Sequence, residues 1–172
     1  MKKLTKIKKK GSKSLYGSFL YMTLLPLFLF GIVTIVFSSK ALSSSIQTEV
    51  SNNLKNVSRS VLIAYDRMYP GDYNIVIDGD KVLFYKGIHL LSEDYTLIDN
   101  IREQTGVEVS LFFYDTRLLT TISNREERFV NTGANPQIVD EVIKKKSAKF
   151  YNNVNINGVP YFAYYEPVFS QD

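Results

Sequence analysis

Three patterns of hydrophobic and polar positions follow one another along the chain. From Leu15 to Ser39, 25 consecutive residues carry no charge, with the densest apolar run between Phe19 and Phe37. At a rise of ~1.5 Å per residue this exceeds the ~30 Å hydrocarbon core of a bilayer, and it predicts a transmembrane helix over 15–39. Ser39 and Ala41 also fit a small-x-small cleavage site, but the apolar stretch is longer than the ~7–15 residues of a signal peptide, so retention is expected. Next, apolar residues recur at Leu42, Ile46, Val50, Leu54, Val57, Val61, Tyr65 and Met68. The mean step is about 3.7 residues, which is helical. Neither proline nor glycine occurs between Gly31 and Pro70. A long helix over 41–69 is therefore expected to continue the membrane segment as a nearly unbroken rod. Pro26 and Gly31, tolerated in lipid, are candidate kink positions.

Beyond Gly71 the period shortens and turn residues punctuate β-rich runs. Tyr73 to Ile77 and Lys81 to Tyr85 flank Asp78-Gly79-Asp80, a hairpin signature. Asp94 or Thr96 is placed to cap a short helix through Gln104, with Leu97, Ile98 and Ile101 on one face and Gly106 ending it. Val107 to Tyr114 and Arg117 to Ser123 make a second strand pair around Asp115-Thr116. Asn135-Pro136 opens a helix with Ile138, Val139, Val142 and Ile143 inward, and the lysines at 144–146 suit its negative pole. Tyr151 to Ile156 and Val159 to Phe169 form a last hairpin about Asn157-Gly158. Hairpins on either side of a helix predict an α+β fold, an antiparallel sheet with helices segregated to one side. The chain ends at Ser170-Gln171-Asp172 on turn-like residues, an ending that predicts a further strand beyond this sequence.

Charge orients this arrangement. The net charge of +4 divides into seven lysines within residues 1–13 and a balance of 13 basic to 17 acidic residues over 41–172. The lysines place a basic tail, residues 1–14, in the cytoplasm and residues from about 41 onward outside the cell. A basic charge confined to one tail excludes nucleic acid as the expected partner. The absence of cysteine excludes disulfides, thiolate metal sites and cysteine nucleophiles.

No nucleophile elbow, phosphate loop, zincin helix or calcium loop occurs, and the single histidine, His89, lies between Ile88 and Leu90. Neither catalysis nor a cofactor or metal is expected. Binding has residues in its favour. Arg117 opens a strand of β-branched and hydroxyl residues, Arg117 to Ile122, and the last strand carries tyrosines at 161, 164 and 165. A guanidinium fork matches a carboxylate, and Tyr161 and Tyr165, an even number of residues apart, share one strand face as a pocket wall. The alternatives are an Arg117 paired with Asp115 at the surface and tyrosines packed in the core or on the sheet.

Four segments, DYTLIDNIR (94–102), TGVEVSLFFYDTRLLTTI (105–122), RFVNT (128–132) and NGVPYFAYYEPV (157–168), in this order behind one membrane helix, resemble the single Cache domains of bacterial transmembrane receptors. The resemblance covers about residues 41–172 and implies a PAS-like antiparallel sheet preceded by a long signalling helix. It implies an extracellular domain, 71–172 here, that holds a small solute and works in a homodimer. Most such receptors look like methyl-accepting chemotaxis proteins; others are histidine kinases or cyclic-dinucleotide enzymes. Matched by motif, the pocket residues would be Arg117, Thr120, Tyr161, Tyr165 and Arg128. Two departures accompany the match. Glu127 stands where a glycine commonly precedes the Arg128 position, and the second membrane helix and output module are not in this sequence. The rival expectation from another class is a membrane-anchored surface protein that contacts a macromolecule.

Overall fold

The computed structural model describes residues 15–79, 81–124 and 127–169; the basic tail, Asp80 of the first turn and the final Ser170-Gln171-Asp172 lie outside them. The chain divides into two compact units, residues 1–46 and 47–172. Helix α1, Leu15–Met68, belongs to both and is uninterrupted at Pro26 and Gly31.

In the first unit every described residue is helical. It includes a window of mean hydropathy 2.3, long and apolar enough to cross a membrane, with none of that window buried. The hydroxyls of Thr23, Thr34 and Ser39 donate to the carbonyls of Phe19, Phe30 and Ile35, one turn earlier. Returning these donors to the backbone is what a hydrocarbon environment demands of them. A depression of about 390 Å³ beside Leu15, Tyr16 and Phe19 is lined almost wholly by apolar surface and converges no polar groups.

The second unit is α+β. Its strands are β1 (Tyr73–Asp78), β2 (Lys81–Lys86), β3 (His89–Leu90), β4 (Ser110–Phe113), β5 (Thr116–Thr120), β6 (Lys149–Ile156) and β7 (Val159–Tyr165). Helix α2, Thr96–Thr105, lies between β3 and β4, and α3, Pro136–Ile138, passes directly into a π-helical segment, Val139–Lys144. The core gathers Val57, Val61 and Tyr65 of α1 with Leu91, Leu97, Ile98, Val109 and Leu119. The apolar stripe on α1 therefore splits: its middle packs on this domain, while Leu42, Ile46 and Met68 are exposed.

The expected single sheet is replaced by three antiparallel ones, β1-β2-β3, β4-β5 and β6-β7. The reason lies at β5. One edge pairs with β4. On the other, Arg117 accepts from the Asn131 N–H at 2.8 Å and donates to the Thr132 carbonyl at 3.0 Å, and Phe129 donates to Ile122 at 3.0 Å. The returning segment 128–133 thus meets β5 at Arg117 and again just beyond its end at Ile122, and so occupies part of the edge that another strand would need. The second hairpin also turns one residue earlier than expected: Phe113 pairs with Thr116, and Tyr114, at φ +54°, supplies the bend. The last strand ends at Tyr165 instead of Phe169.

Other local expectations hold. Gly106 ends α2 at φ +68°, Asn135 caps α3 by accepting from the Gln137 N–H, and Asn157 and Gly158 both take positive φ. The N-cap of α2 is Tyr95, while Asp94 accepts from the Thr96 N–H at 3.0 Å. The joint between α1 and the first sheet is tight. The Lys86 ammonium, buried on β2, pairs with Asp66 and donates to the Gly71 carbonyl, both at 2.8 Å, and lies 4.1 Å from the centre of the Tyr73 ring.

Candidate functional site

A cavity of about 340 Å³ opens between the start of β5, the 129–138 segment and the β6-β7 hairpin. Arg117 and Tyr165 both line it. Arg117 reaches it because the turn at Tyr114 and Asp115 starts β5 beneath the cavity, and the residue is 4% exposed. Its Nη1 donates to Thr132 Oγ1 at 2.9 Å and to the Phe129 carbonyl at 3.4 Å. Its Nε is buried without a hydrogen-bond partner.

Among the described residues no carboxylate stands within ion-pair distance of Arg117, so the Asp115 pairing does not form. Burial pulls the guanidinium pKa below its ordinary value, an effect opposed by Tyr165 and Tyr161 nearby. It nevertheless stays protonated. A buried cation facing a cavity without a counter-charge is costly, and an entering anion relieves that cost.

Aromatic rings hold this cation. Arg117 lies 5.0 Å from the Phe112 ring centre on β4, Phe112 meets Tyr165 at 6.1 Å, and Tyr165 meets Tyr151 edge-on at 5.8 Å. Burial raises the pKa of the Tyr165 phenol. Tyr151 donates to Glu141 Oε2 at 2.7 Å, and burial, then this bond, raises its phenol as well. Glu141 also receives the Lys149 ammonium at 2.7 Å. The Lys149 and Tyr151 hydrogen bonds together hold its carboxyl down at about 2.

The other expected site residues lie elsewhere. Thr120 is fully buried on β5, where its hydroxyl meets Ser110 at 2.7 Å and accepts from the Ile122 N–H. Arg128 is engaged by Asp99 of α2 and lies 4.2 Å from the Tyr95 ring centre. Tyr161 is half-buried on β7 opposite Val154 and does not line the cavity. The structure adds residues that sequence reasoning missed: Thr132, Gln137, Tyr151 and the asparagines 153, 155 and 157. A trace of them was present, since four asparagines in Tyr151 to Asn157 contradict the strand propensity of their neighbours. Among the described residues no group of three or more His, Asp or Glu side chains is placed to hold a metal ion.

Residues 89–172 match the family model of single Cache domain 3, which supports a Cache sensor domain, an extracellular ligand-sensing module of signalling receptors. The match begins at β3 and takes in every residue that lines the cavity. No curated protein and no solved structure matches the chain.

Proposed function

We propose that this chain is the extracytoplasmic ligand-sensing part of a transmembrane receptor, most like a methyl-accepting chemotaxis receptor, and that it binds a small carboxylate in the Arg117 cavity. The observation that carries the reading is the buried Arg117 guanidinium at the cavity wall, with no carboxylate partner among the described residues and its Nε without a hydrogen bond. Helix α1 runs from Leu15 to Met68 without a break, which supports a reading in which occupancy is passed along it. In this reading the N-terminus is cytoplasmic and the receptor acts as a homodimer. The same sensor would serve a histidine kinase or a cyclic-dinucleotide enzyme as the output module.

The test is a thermal-shift screen of the full chain in detergent against small carboxylates. A ligand at 100 times its dissociation constant adds ~2.7 kcal/mol of stability. The variant Arg117→Ala should lose ~1.5–3 kcal/mol of binding, the worth of a hydrogen bond to a charged group, and still fold. Full affinity in Arg117→Ala would return the arginine to a structural role.

A further inference from the structure

We infer that the cavity selects a monoanion rich in hydroxyl groups, a hydroxycarboxylate or sugar acid, and discriminates against zwitterionic amino acids. The inference rests on the reading of Arg117 as the anion-binding group and takes it further, to the rest of the ligand.

The first argument is charge. Among the described residues Arg117 is the one cationic side chain lining the cavity, so the site neutralises one negative charge, and no aspartate or glutamate lines it. Three carboxylates near its walls have partners of their own, Asp115, whose backbone meets Ala134, accepting from the Thr116 hydroxyl at 3.1 Å. Glu141 stands behind Tyr151 and receives Lys149 and the Tyr151 hydroxyl. Glu166, the residue after Tyr165, accepts from the Ser58 hydroxyl at 3.2 Å and faces Arg59 at 3.9 Å on α1. An α-ammonium carried in beside a carboxylate would sit near a buried guanidinium with no counter-charge of its own. That arrangement is disfavoured by both Coulomb repulsion and desolvation.

The second argument is hydrogen bonding. The lining combines Asn153, Asn155 and Asn157 of the last hairpin, Thr132 and Gln137 with the apolar side chains of Phe129, Ile138, Val154 and Ile156 and the Tyr151 and Tyr165 rings. Asn155 spends its carbonyl on the Gly158 N–H at 2.8 Å, a bond that does not use its amide N–H pair. Side-chain amides both donate and accept, as hydroxyls do. A wall of this kind complements a chain of hydroxyls and loses hydrogen bonds to an alkyl chain, and a site built for hydroxyls rejects analogues that lack them. At about 340 Å³ the cavity is at the small end of ligand pockets, which span ~300–1,000 Å³.

The test uses pairs that share a skeleton and differ in one group. Isothermal titration of the full chain in lipid nanodiscs compares D-gluconate with 2-amino-2-deoxy-D-gluconate, and D-glycerate with serine, with propionate as the carboxylate that lacks hydroxyls. At least one hydroxy acid should bind tenfold or more tighter than its amino partner and than propionate. Asn153→Asp, which puts a carboxylate in the wall, should narrow or invert the difference between partners. An amino partner that binds the native protein as tightly as the hydroxy acid would overturn this inference and leave the Arg117 reading standing, because both ligands carry the carboxylate. Tighter binding of propionate would do the same. Failure of every carboxylate to bind would remove both.

Discussion

Arg128 and Asp99 face each other through two parallel hydrogen bonds, Nη1 to Oδ1 at 2.8 Å and Nη2 to Oδ2 at 2.7 Å. The same guanidinium donates to the Thr120 carbonyl at 2.9 Å and lies on the Tyr95 ring. Arg128 therefore fastens the segment that returns along β5 to helix α2. Both side chains are partly exposed, so solvent screens the pair, and the bidentate geometry with the ring contact is worth ~1–2 kcal/mol. Chemical denaturation of Arg128→Ala should show a loss of that size, with carboxylate affinity at Arg117 retained. A loss of binding at unchanged stability would move Arg128 into the site.

Glu141 predicts a pH dependence. Its carboxyl is held at about 2 against an ordinary 4.5, so the folded state binds the proton less readily than the unfolded one. The stabilisation is fully present above pH 4.5 and is lost as pH falls toward 2. Glu141→Gln removes the titrating group. The melting temperatures of the native protein and this variant should converge across that interval, and a difference that stays constant from pH 5 to pH 2 would show that the carboxylate does not carry it.

Gly87 is the position where a single methyl should do most harm. It sits at φ +57°, and a Cβ there would overlap the Pro70 carbonyl oxygen, while a Cβ on Gly71 would come within 2.7 Å of the Gly87 Cα. Neither obstacle is a side chain that can swing away. Gly87→Ala should cost ~2–4 kcal/mol and loosen the joint between α1 and β2, measured by denaturation and by faster amide exchange in β1 and β2. Gly133→Ala, with open space at its Cβ and no positive φ, is the control.

Helix α1 offers a test of topology and dimerisation together. Val57, Val61 and Tyr65 are committed to the domain core, whereas Leu42 and Ile46 are exposed. Single cysteines at Leu42, Ile46 and Val50 should cross-link under oxidation faster than ones at Ser44 or Gln47. In intact cells a cysteine at Asn152 should react with an impermeant thiol reagent and one at Ser12 should not. Uniform cross-linking along the helix would count against the dimer, and the reverse labelling pattern against the orientation.

Where a rule depends on one residue's own backbone, it was legible in the sequence. Gly106 stops α2, Asn135 and Pro136 open α3, and Asn157-Gly158 turns the last hairpin, each because positive φ or a free N–H leaves few alternatives. What local pattern could not supply was the competition for hydrogen bonds at β5. The segment 128–133, assigned to no strand from its sequence, bonds to the backbone of Arg117 and Ile122. Arg117, to which the residues and the resemblance both pointed, is buried at the cavity, whereas Arg128, named by the resemblance alone and preceded by Glu127, pairs with Asp99. The widening of α3 into a π-helical turn at Val139 has no counterpart in the apolar spacing, which fits an ordinary helix equally well.

The β6-β7 hairpin, among the described residues, pairs its backbone with no strand but its own partner. Arg117 differs, since its strand pairs with β4 and its own backbone bonds to Asn131 and Thr132 on the other side. Mutational drift is consequently cheap on one wall and expensive on the other. On the proposed reading, replacing Asn153 would alter what the cavity prefers without disturbing a ladder elsewhere, whereas replacing the residues around Arg117 would disturb the domain. A lineage carrying this domain would then change its ligands by rewriting one hairpin while inheriting the proposed anion anchor unchanged.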